Sequence, residues 1–304
     1  MTRRLSYLGP AGTYSEEAAR ACALAGAGAG AERPAKRRDV RGRAGPARLV
    51  PFGSIAAVVR AVEEGAADEA VVPIENSLEG AVTHTADLLI HHTDLRIRME
   101  VVLPIHHCLL LQPDVRVEEV QVVYSHPQAL AQCRGYLARH LSGAAPVASL
   151  STAGAVRDMQ GSDRPAAAIS SRRAAEISGV AVADGDIEDR GNNKTRFVVL
   201  AVEDAPRTGR DKTSICFDFS EDAAGTLHGA LGEFATRGIN MIRVESRPDK
   251  RSLGRYVFLI DIEGHREDAV VGAALARIEA RATMFKVLGS YPRAKVLDSG
   301  TRPL

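Results

Sequence analysis

The chain has 304 residues, of which 25% are charged and 45% hydrophobic, and its formal net charge is +1. That length fits about two domains of ~150 residues each, and a charge so near zero offers no general attraction to nucleic acid. The start, MTRRLSYLGP, lacks the apolar stretch of a signal peptide, and no window approaches the ~18 apolar residues of a membrane-spanning helix. Composition therefore favours a cytoplasmic globular protein that binds neither nucleic acid nor a membrane.

Cysteine and histidine spacing gives no metal signature. The four cysteines are scattered without a C-x-x-C pair, which supports neither a zinc knuckle nor a disulfide framework. His91 with His92 and His106 with His107 are sequence neighbours, and adjacent side chains diverge on a strand or a helix. They are poor chelating pairs, so we expect no metal.

Strand and helix patterns alternate along the first 200 residues. The extended run at residues 4–8 ends in a glycine turn, and a capped helix is expected after Thr13. The continuous apolar run at 70–74 is typical of a parallel sheet that is covered on both faces. The alternation predicts an α/β fold. Further strands are expected at 49–52, 101–111, 120–124, 166–170 and 195–202, and helices at 55–64, 80–91, 128–141, 154–159 and 172–178.

Residues 26–48 form a stretch of Gly, Ala, Arg, Lys and Pro without apolar periodicity. Such composition predicts a mobile, basic surface insert. Its GAGAGA run is a poor phosphate-binding loop, because it follows a helix and no Gly-Lys-Ser/Thr closes it.

The C-terminal third has its own pattern, separated by a linker at 203–212 that is rich in Pro, Gly, Arg and Asp. Strands are expected at 213–219, 241–246, 255–263 and 284–291, and helices at 225–237 and 267–282. The order βαββαβ predicts a ferredoxin-like second domain.

Small hydroxyl residues and glycines stand where several predicted helices begin. A helix N-terminus offers unpaired N–H groups and a partial positive charge, so several that converge on one cleft would bind a multiply anionic small molecule. The alternative for each residue is plain helix capping. The candidate binding residues are Gly12, Thr13, Tyr14, Asn76, Ser77, Gly80, Ser125, His126, Gln128, Ser151 and Thr152.

Six ordered motifs in this region resemble the prephenate dehydratase family: GPAGTYSEEA at 9–18, VVPIENSLEG at 71–80, YSHPQA at 124–129, STAGA at 151–155, AAIS at 167–170 and TRFVVL at 195–200. In the tail, GTLHGAL from 225 and GINMIRVESRP from 238 resemble the two stretches by which that family's ACT domain binds phenylalanine. The chain departs from the family in the basic insert, in Gly154 where Ala is usual, and in Ala224 where Pro is frequent.

The resemblance implies a two-lobed, periplasmic-binding-protein-like catalytic domain at 1–202, a linker at 203–212 and an ACT regulatory domain at 213–304. It also implies that prephenate loses its ring carboxylate as carbon dioxide and its hydroxyl as water, leaving phenylpyruvate. Aromatisation drives this reaction without a cofactor. The protein must hold the dianion and assist the departure of hydroxide, a poor leaving group.

By the same resemblance, Thr195 donates a hydrogen bond or a proton to the departing hydroxyl. Because an aliphatic hydroxyl is a weak acid, Glu75 or a water remains an alternative proton source. Arg196 either clamps a substrate carboxylate or forms a bracing salt bridge, and Phe197 is either core or a wall of the ring pocket. Asn76 and Ser77 are expected to contact substrate carboxylates or the hydroxyl.

Regulation is expected in the second domain, with L-phenylalanine as effector and a homo-oligomer, dimer or tetramer, as the assembled form. Two alternatives stay open: arogenate dehydratase, whose substrate carries an amino group in place of the keto oxygen, and a noncatalytic sensor of anions or amino acids, against which the intact Thr-Arg-Phe run argues. The expected effector residues are Gly225, Leu227, His228, Leu231, Gly238, Asn240, Glu245, Ser246, Arg247 and Pro248.

Overall fold

The fold is that of a computed structural model, which describes residues 2–28, 47–219, 223–250 and 254–294. Most of the predicted basic insert, residues 29–46, lies outside the described residues. By internal contacts the described chain divides into two compact units. The first contains Met1–Val82 and Val101–Phe197, and the second contains Thr83–Glu100 and Val198–Lys295. Residues 83–100 therefore fall with the C-terminal part of the chain.

The N-terminal part of the chain supplies most of the first sheet. Its elements are β1 (Arg4–Leu8), α1 (Tyr14–Gly28), β2 (Arg48–Phe52), α2 (Ile55–Glu63), β3 (Glu69–Asn76), β4 (Gly80–Ala81), α3 (Thr83–His91), β5 (Arg96–Pro104) and β11 (Lys194–Ala201). The strand order is β2-β1-β3-β11-β5. The first three strands of that order pair in parallel, and the short β4 folds back on β3 as an antiparallel hairpin. Helices α1 and α2 pack against β1.

A second sheet belongs to the first unit. Its elements are β6 (Cys108–Leu111), a 3-10 turn (Val117–Glu119), β7 (Val122–Ser125), α4 (Pro127–Gln132), α5 (Arg134–His140), β8 (Ala145–Ala148), α6 (Thr152–Gln160), β9 (Ala166–Ser170), α7 (Arg172–Ser178) and β10 (Val182–Asp184). The strand order is β10-β6-β9-β7-β8. Every residue of the central strand β9 is buried, and successive side chains enter different cores on the two faces: Ala168 packs in one core and Ile169 in the other.

The third sheet lies in the second unit. Its elements are β12 (Asp211–Asp218), α8 (Thr226–Ala235), β13 (Met241–Pro248), β14 (Tyr256–Glu263), α9 (Ala269–Glu279) and β15 (Met284–Pro292). The sheet is antiparallel with the order β13-β14-β12-β15. Phe217, Phe234 and Ile260 pack in its core with the two helices. The predicted βαββαβ order is confirmed.

Three single elements expected from the sequence are each divided in the structure, so those predictions were wrong. The strand expected at 101–111 is split between β5 and β6, which belong to different sheets, and residues 105–107 link them. The helix expected at 128–141 breaks at Cys133, where the Asp189 carboxylate accepts the backbone N–H groups of Gly135 and Tyr136 and caps a new helix. The first two residues of the helix expected at 80–91 form the strand β4, and the helix α3 begins only at Thr83.

None of the helices in the described ranges combines the length and the apolar character that crossing a lipid bilayer requires.

Candidate active site

The Thr-Arg-Phe run lies on β11, next to the end of β3. Strand alternation places Asn76 and Thr195 together, and Glu75 with Arg196 on the opposite face. The Asn76 Nδ2 atom donates to Thr195 Oγ1 at 2.8 Å, and the Arg196 guanidinium lies 3.3 Å from the Glu75 carboxylate. Phe197 is 2% exposed. The structure thus gives Arg196 its bracing salt bridge, and it buries Phe197 within the fold.

The orientation of the Asn76 carboxamide is fixed by the turn that follows it. Its Oδ1 accepts the backbone N–H groups of Leu78 and Glu79 at 3.0 and 3.1 Å, so Nδ2 must face Thr195 and Asn193 as a donor. Thr195 Oγ1 is therefore an acceptor in this bond, and its hydroxyl proton is available to another group. Among the described residues, no acceptor takes that proton.

Gln132, at the end of α4, joins this arrangement although the sequence did not single it out. Because Asn193 accepts from Asn76, its Nδ2 donates to Gln132 Oε1 at 3.0 Å. The same oxygen lies 2.9 Å from His107 Nε2, whereas Gln132 Nε2 is buried without a partner among the described residues. One signal was available: Gln128 and Gln132 are four residues apart on a helix that starts at the YSHPQA motif, and such residues share a face.

Tyr14 and His107 complete the buried chain of hydrogen bonds. The Tyr14 hydroxyl lies 2.6 Å from the His106 carbonyl oxygen and 3.0 Å from His107 Nδ1. Burial raises the pKa of Tyr14 well above its usual range and lowers the pKa of His107. A protonated phenol therefore faces a neutral imidazole. Because Gln132 Oε1 accepts from Asn193, the imidazole proton that faces this oxygen lies on Nε2. The imidazole Nδ1 then shares the Tyr14 hydroxyl proton with the His106 carbonyl.

Glu188 holds the segment of His106 and His107 in place. Its Oε1 lies 2.8 Å from His106 Nδ1, and its Oε2 accepts the backbone N–H of His107 at 2.8 Å. Asp186 Oδ1 lies 3.3 Å from the same imidazole nitrogen, and within the described part of the chain His106, Asp186 and Glu188 are the one group with spacing that could hold a metal ion. Both carboxylate oxygens of Glu188 already have partners within the chain. The His107 ring does not belong to this group, because its nitrogens face Tyr14 and Gln132.

The Gly12–Thr13 turn is packed closely against α7. The Gly12 carbonyl accepts the Ser171 hydroxyl at 2.8 Å, and φ at Gly12 is +89°. A Cβ there would lie 3.1 Å from the Ala174 Cα, so glycine serves both the backbone conformation and the close approach. Thr13 Oγ1 accepts the Glu16 N–H at 3.3 Å and caps α1.

Some of the other predicted binding residues cap helices, and others bond to distant elements of the fold. Ser77 Oγ accepts the Lys194 N–H at 2.9 Å and ties the end of β3 to β11. His126 caps α4, and Ser151 accepts the Gly154 N–H at 2.9 Å at the start of α6. The remaining members are placed as follows: Ser125 Oγ donates to the Ile169 carbonyl, Gln128 N–H donates to His126, the Thr152 carbonyl accepts the Ser170 hydroxyl, and Gly80 has φ +81° in β4.

His126 also lines a pocket of about 420 Å³ at the ends of β7 and β8. The lining of the pocket comes from the YSHPQA motif, from the end of β8 and the segment that follows it, and from α6. Its lining residues are His126, Pro127, Ala148, Ser149, Leu150 and Asp158.

In the second unit, the Glu-Ser-Arg-Pro segment on β13 is held by ion pairs. Glu245 lies between Arg243 and Arg247, and Arg247 Nη1 donates to Glu245 Oε1 at 3.0 Å. Arg247 Nη2 also donates to Asp87 of α3 at 3.2 Å, and Lys250 bonds the other oxygen of Asp87. Burial alone would raise the pKa of Asp87, but the bonds from Lys250 and Arg247 hold that pKa below its usual value. Asp87 was missed by the sequence, because it stands 160 residues from Arg247.

The other predicted effector residues surround α8 and β13. Gly225, with φ +86°, starts α8, and Gly238, with φ +67°, follows its end. Ser246 and Pro248 are exposed, as are the apolar side chains of Ile242 and Val244 on the same strand. Leu227 and Leu231 pack against the core at partial burial, His228 is exposed, and the Asn240 carbonyl accepts the Glu263 N–H at 2.9 Å.

Comparison with known proteins gives two family matches. The family described as prephenate dehydratase matches residues 5–205, and the family described as ACT domain matches residues 214–280. Among curated relatives, the bifunctional chorismate mutase/prephenate dehydratase of Stutzerimonas stutzeri is 38% identical over 291 residues, covering 96% of this chain and 73% of that protein. The prephenate dehydratase of Mycolicibacterium vanbaalenii is 35% identical over 302 residues, covering 99% of this chain and 94% of the relative.

Two solved structures share the architecture. The prephenate dehydratase of Arthrobacter aurescens in complex with L-Phe has a TM-score of 0.82 and 34% identity, covering 99% of this chain and 93% of that one. GqqA, described as a novel type of quorum quenching acylase, has a TM-score of 0.79 and 30% identity, covering 96% and 98%. From the family match across residues 5–205 and the relatives that align along nearly its whole length, the chain belongs to the prephenate dehydratase family and carries an ACT domain in its C-terminal part.

Proposed function

We propose that the chain converts prephenate into phenylpyruvate, carbon dioxide and water, with Thr195 donating a hydrogen bond to the departing ring hydroxyl. The observation that carries this proposal is the 2.8 Å bond from Asn76 Nδ2 to Thr195 Oγ1. Asn76 occupies the oxygen of Thr195 as an acceptor, so the hydroxyl proton is directed to another acceptor. Hydroxide is a poor leaving group, and a donor aimed at it stabilises the charge that develops as the bond breaks.

The position of Glu75 bears on the proton source. Glu75 lies on the face of the sheet opposite Thr195, where it pairs with Arg196. This geometry favours a water or a substrate group over Glu75 as the source of the proton that leaves with the hydroxyl. Arg196 then acts as a brace for the strand pair, and Phe197 acts through packing.

Gln132 is a candidate for contact with the substrate. Its Nε2 is a buried donor without a partner among the described residues, and burying such a donor unpaired costs about 1–3 kcal/mol. A carboxylate or keto oxygen of prephenate is the kind of acceptor that would satisfy it. The helix starts at Thr13, Ser151 and His126 complete the binding surface that we propose for the dianion, through their partial positive charge.

Two other reactions are alternatives to the one proposed. Arogenate differs from prephenate by one amino group, so the same leaving-group chemistry would serve it, and the two substrates must be compared directly. An acylase reaction, suggested by the likeness to GqqA, would require a nucleophile next to a base. In the described residues Thr195 is hydrogen-bonded to a carboxamide and to no base, which favours the dehydratase reaction.

For regulation, we propose that L-phenylalanine binds at the α8 and β13 motifs. The related prephenate dehydratase of Arthrobacter aurescens forms a complex with L-Phe, which supports this effector. The carboxylate of bound phenylalanine would compete for Arg247, and its ammonium would compete for Glu245. These two side chains pair with each other in the present structure. The exposed Ile242 and Val244 on the edge strand β13 suit contact with a second copy of the chain. We propose that the assembled form is a homo-oligomer, dimer or tetramer, and that it is cytoplasmic.

The route from effector to catalysis would begin at Asp87. Arg247 and Lys250 bind this carboxylate on α3, and α3 begins two residues after the β4 hairpin that holds Asn76. An effector that draws Arg247 away from Asp87 would loosen α3 from β13. The coupling required for such regulation is only ~1–3 kcal/mol.

A single set of assays tests the proposal. Purified protein is supplied with prephenate, with arogenate and with an N-acyl amide, each with and without L-phenylalanine, and phenylpyruvate, phenylalanine or released acid is measured. We expect phenylpyruvate from prephenate and inhibition by phenylalanine, and we expect Ser246→Ala to weaken that inhibition while turnover persists. Turnover of arogenate but not of prephenate would show an arogenate dehydratase instead. Release of acid from the N-acyl amide without turnover of prephenate would show an acylase instead.

A further inference from the structure

We propose that His107 is a positioning residue for the reaction: it holds the Gln132 carboxamide in the one orientation that completes the hydrogen-bond chain to Thr195. The proposal rests on the proposed dehydratase function and adds a residue to it. His107 itself is 2% exposed and touches Gln132, not Thr195. Its effect on catalysis must therefore pass through Gln132.

The directions of the bonds follow from one fixed end. Two backbone N–H groups hold Asn76 Oδ1, which makes Asn76 Nδ2 the donor to Asn193 Oδ1. Asn193 Nδ2 must then donate to Gln132 Oε1, so this oxygen accepts and Gln132 Nε2 points elsewhere. Each carboxamide has one orientation compatible with its neighbour.

His107 secures the far end of that chain. Its Nε2–H donates to the same Gln132 oxygen at 2.9 Å, and its Nδ1 faces the Tyr14 hydroxyl at 3.0 Å. The backbone N–H of His107 is held by Glu188 at 2.8 Å, which fixes the position from which the ring projects. Without the Nε2–H donor, one bond from Asn193 alone would hold the Gln132 oxygen, and the carboxamide could rotate.

Asparagine and glutamine at position 107 separate this role from simple packing. The amide atoms of asparagine reach about as far as Nδ1 of histidine, so His107→Asn keeps a partner for Tyr14 and loses the bond to Gln132. The amide of glutamine extends about as far as Nε2, so His107→Gln keeps a donor for Gln132 and loses the bond to Tyr14. Both variants are polar and smaller than or similar to histidine in volume.

The test measures kcat and KM for prephenate in the two variants, in Gln132→Ala and in the His107→Asn, Gln132→Ala double variant, with folding checked by circular dichroism. We expect kcat/KM to fall about 10-fold in His107→Asn and to stay within about 3-fold of wild type in His107→Gln, the size of effect typical when one member of a coupled network is lost. The double variant should be no worse than Gln132→Ala alone, because His107 acts through Gln132.

Three outcomes overturn the inference: an unchanged kcat/KM in His107→Asn, a loss in His107→Gln as large as in His107→Asn, or losses that multiply in the double variant. If His107→Asn does not fold, His107→Gln is compared with wild type and with Gln132→Ala. A loss of kcat/KM in His107→Gln as large as that in Gln132→Ala would contradict the inference, because glutamine at position 107 should keep the donor to Gln132. Wild-type protein that is inactive on prephenate would instead overturn the proposed function.

Discussion

The Asn76 carboxamide donates to the Thr195 hydroxyl oxygen at 2.8 Å, while its own oxygen is held by the backbone N–H groups of Leu78 and Glu79. The two residues stand 119 positions apart in the chain and meet because β3 and β11 are neighbours in one sheet. In the proposed reaction, this pairing orients the Thr195 hydroxyl as a donor.

Removing that donor should stop most of the reaction. We expect Thr195→Ala to lower turnover of prephenate by ~10²- to 10⁴-fold with the fold intact, because the leaving hydroxyl loses its hydrogen bond. Thr195→Ser keeps the hydroxyl and should retain most of the activity. Phenylpyruvate formation and circular dichroism check both variants, and near wild-type turnover of Thr195→Ala would refute the assigned role.

The orientation of Thr195 can be tested separately at Asn76. Asn76→Asp keeps an oxygen for the turn at Leu78 and Glu79 but replaces the donor nitrogen with an acceptor that faces Thr195 Oγ1. The Thr195 proton should then turn toward the new carboxylate, and we expect kcat to fall ~10²-fold. Steady-state kinetics with prephenate measures kcat and KM of this variant. A change confined to KM would show that Asn76 serves binding alone.

The link from β13 to α3 predicts a regulatory phenotype at Asp87. Asp87→Asn removes the charge that Arg247 and Lys250 share, so we expect the phenylalanine concentration for half-inhibition to shift about 5- to 10-fold, within the usual range of coupling energies. Turnover without phenylalanine should change little. Asp94→Asn, at an exposed carboxylate of the same segment, serves as the matched control. An Asp87→Asn inhibition curve that overlays wild type excludes this route.

A close backbone contact within the second unit predicts a large effect on stability. Gly289 has φ +150°, and a Cβ there would lie 2.1 Å from the Ile97 carbonyl oxygen, so Gly289→Ala should cost about 3 kcal/mol or more. Gly232→Ala, in the middle of α8 with open space around its Cα, should instead stabilise by about 0.5–1 kcal/mol. Thermal or urea unfolding measures both. Equal unfolding curves for the two variants would contradict the contact.

Glu17 should make stability depend on pH. Burial, assisted by the nearby carboxylates of Glu16 and Glu176, raises the pKa of Glu17 from 4.5 to about 7. The folded protein keeps this proton where the unfolded chain has released it, so the stabilising contribution is full below about pH 4.5 and is lost as the pH rises toward 7. Glu17→Gln should remove that loss and gain stability relative to wild type on the order of 2 kcal/mol at pH 8.

Thermal unfolding of Glu17→Gln and wild type between pH 5 and pH 8 measures this difference. Glu64→Gln, at an exposed position after α2, is the control and should follow the wild-type profile. Parallel profiles for Glu17→Gln and wild type would mean that Glu17 does not hold its proton in the folded state.

The sequence alone determined the alternation of strands and helices, the βαββαβ order of the tail, and the identity of Thr195, Asn76 and Ser77 as candidates. These features depend on local periodicity, on turn and cap residues and on short motifs, all of which can be read within about a dozen residues. The capping roles of Ser151 and His126 were among the alternatives for the same reason.

Only the tertiary structure decided which of these residues meet and in which direction they bond. His107 and Asp87 carry no distinctive local signal, and Gln132 carries only its four-residue spacing from Gln128. The role proposed for each depends on a partner that is 25 to 160 positions away. The split of the expected strand at 101–111 between two sheets likewise depends on long-range pairing, which no local pattern encodes. Donor and acceptor geometry appears when distant strands are brought together, and that geometry distinguishes an oriented hydroxyl from an ordinary buried threonine.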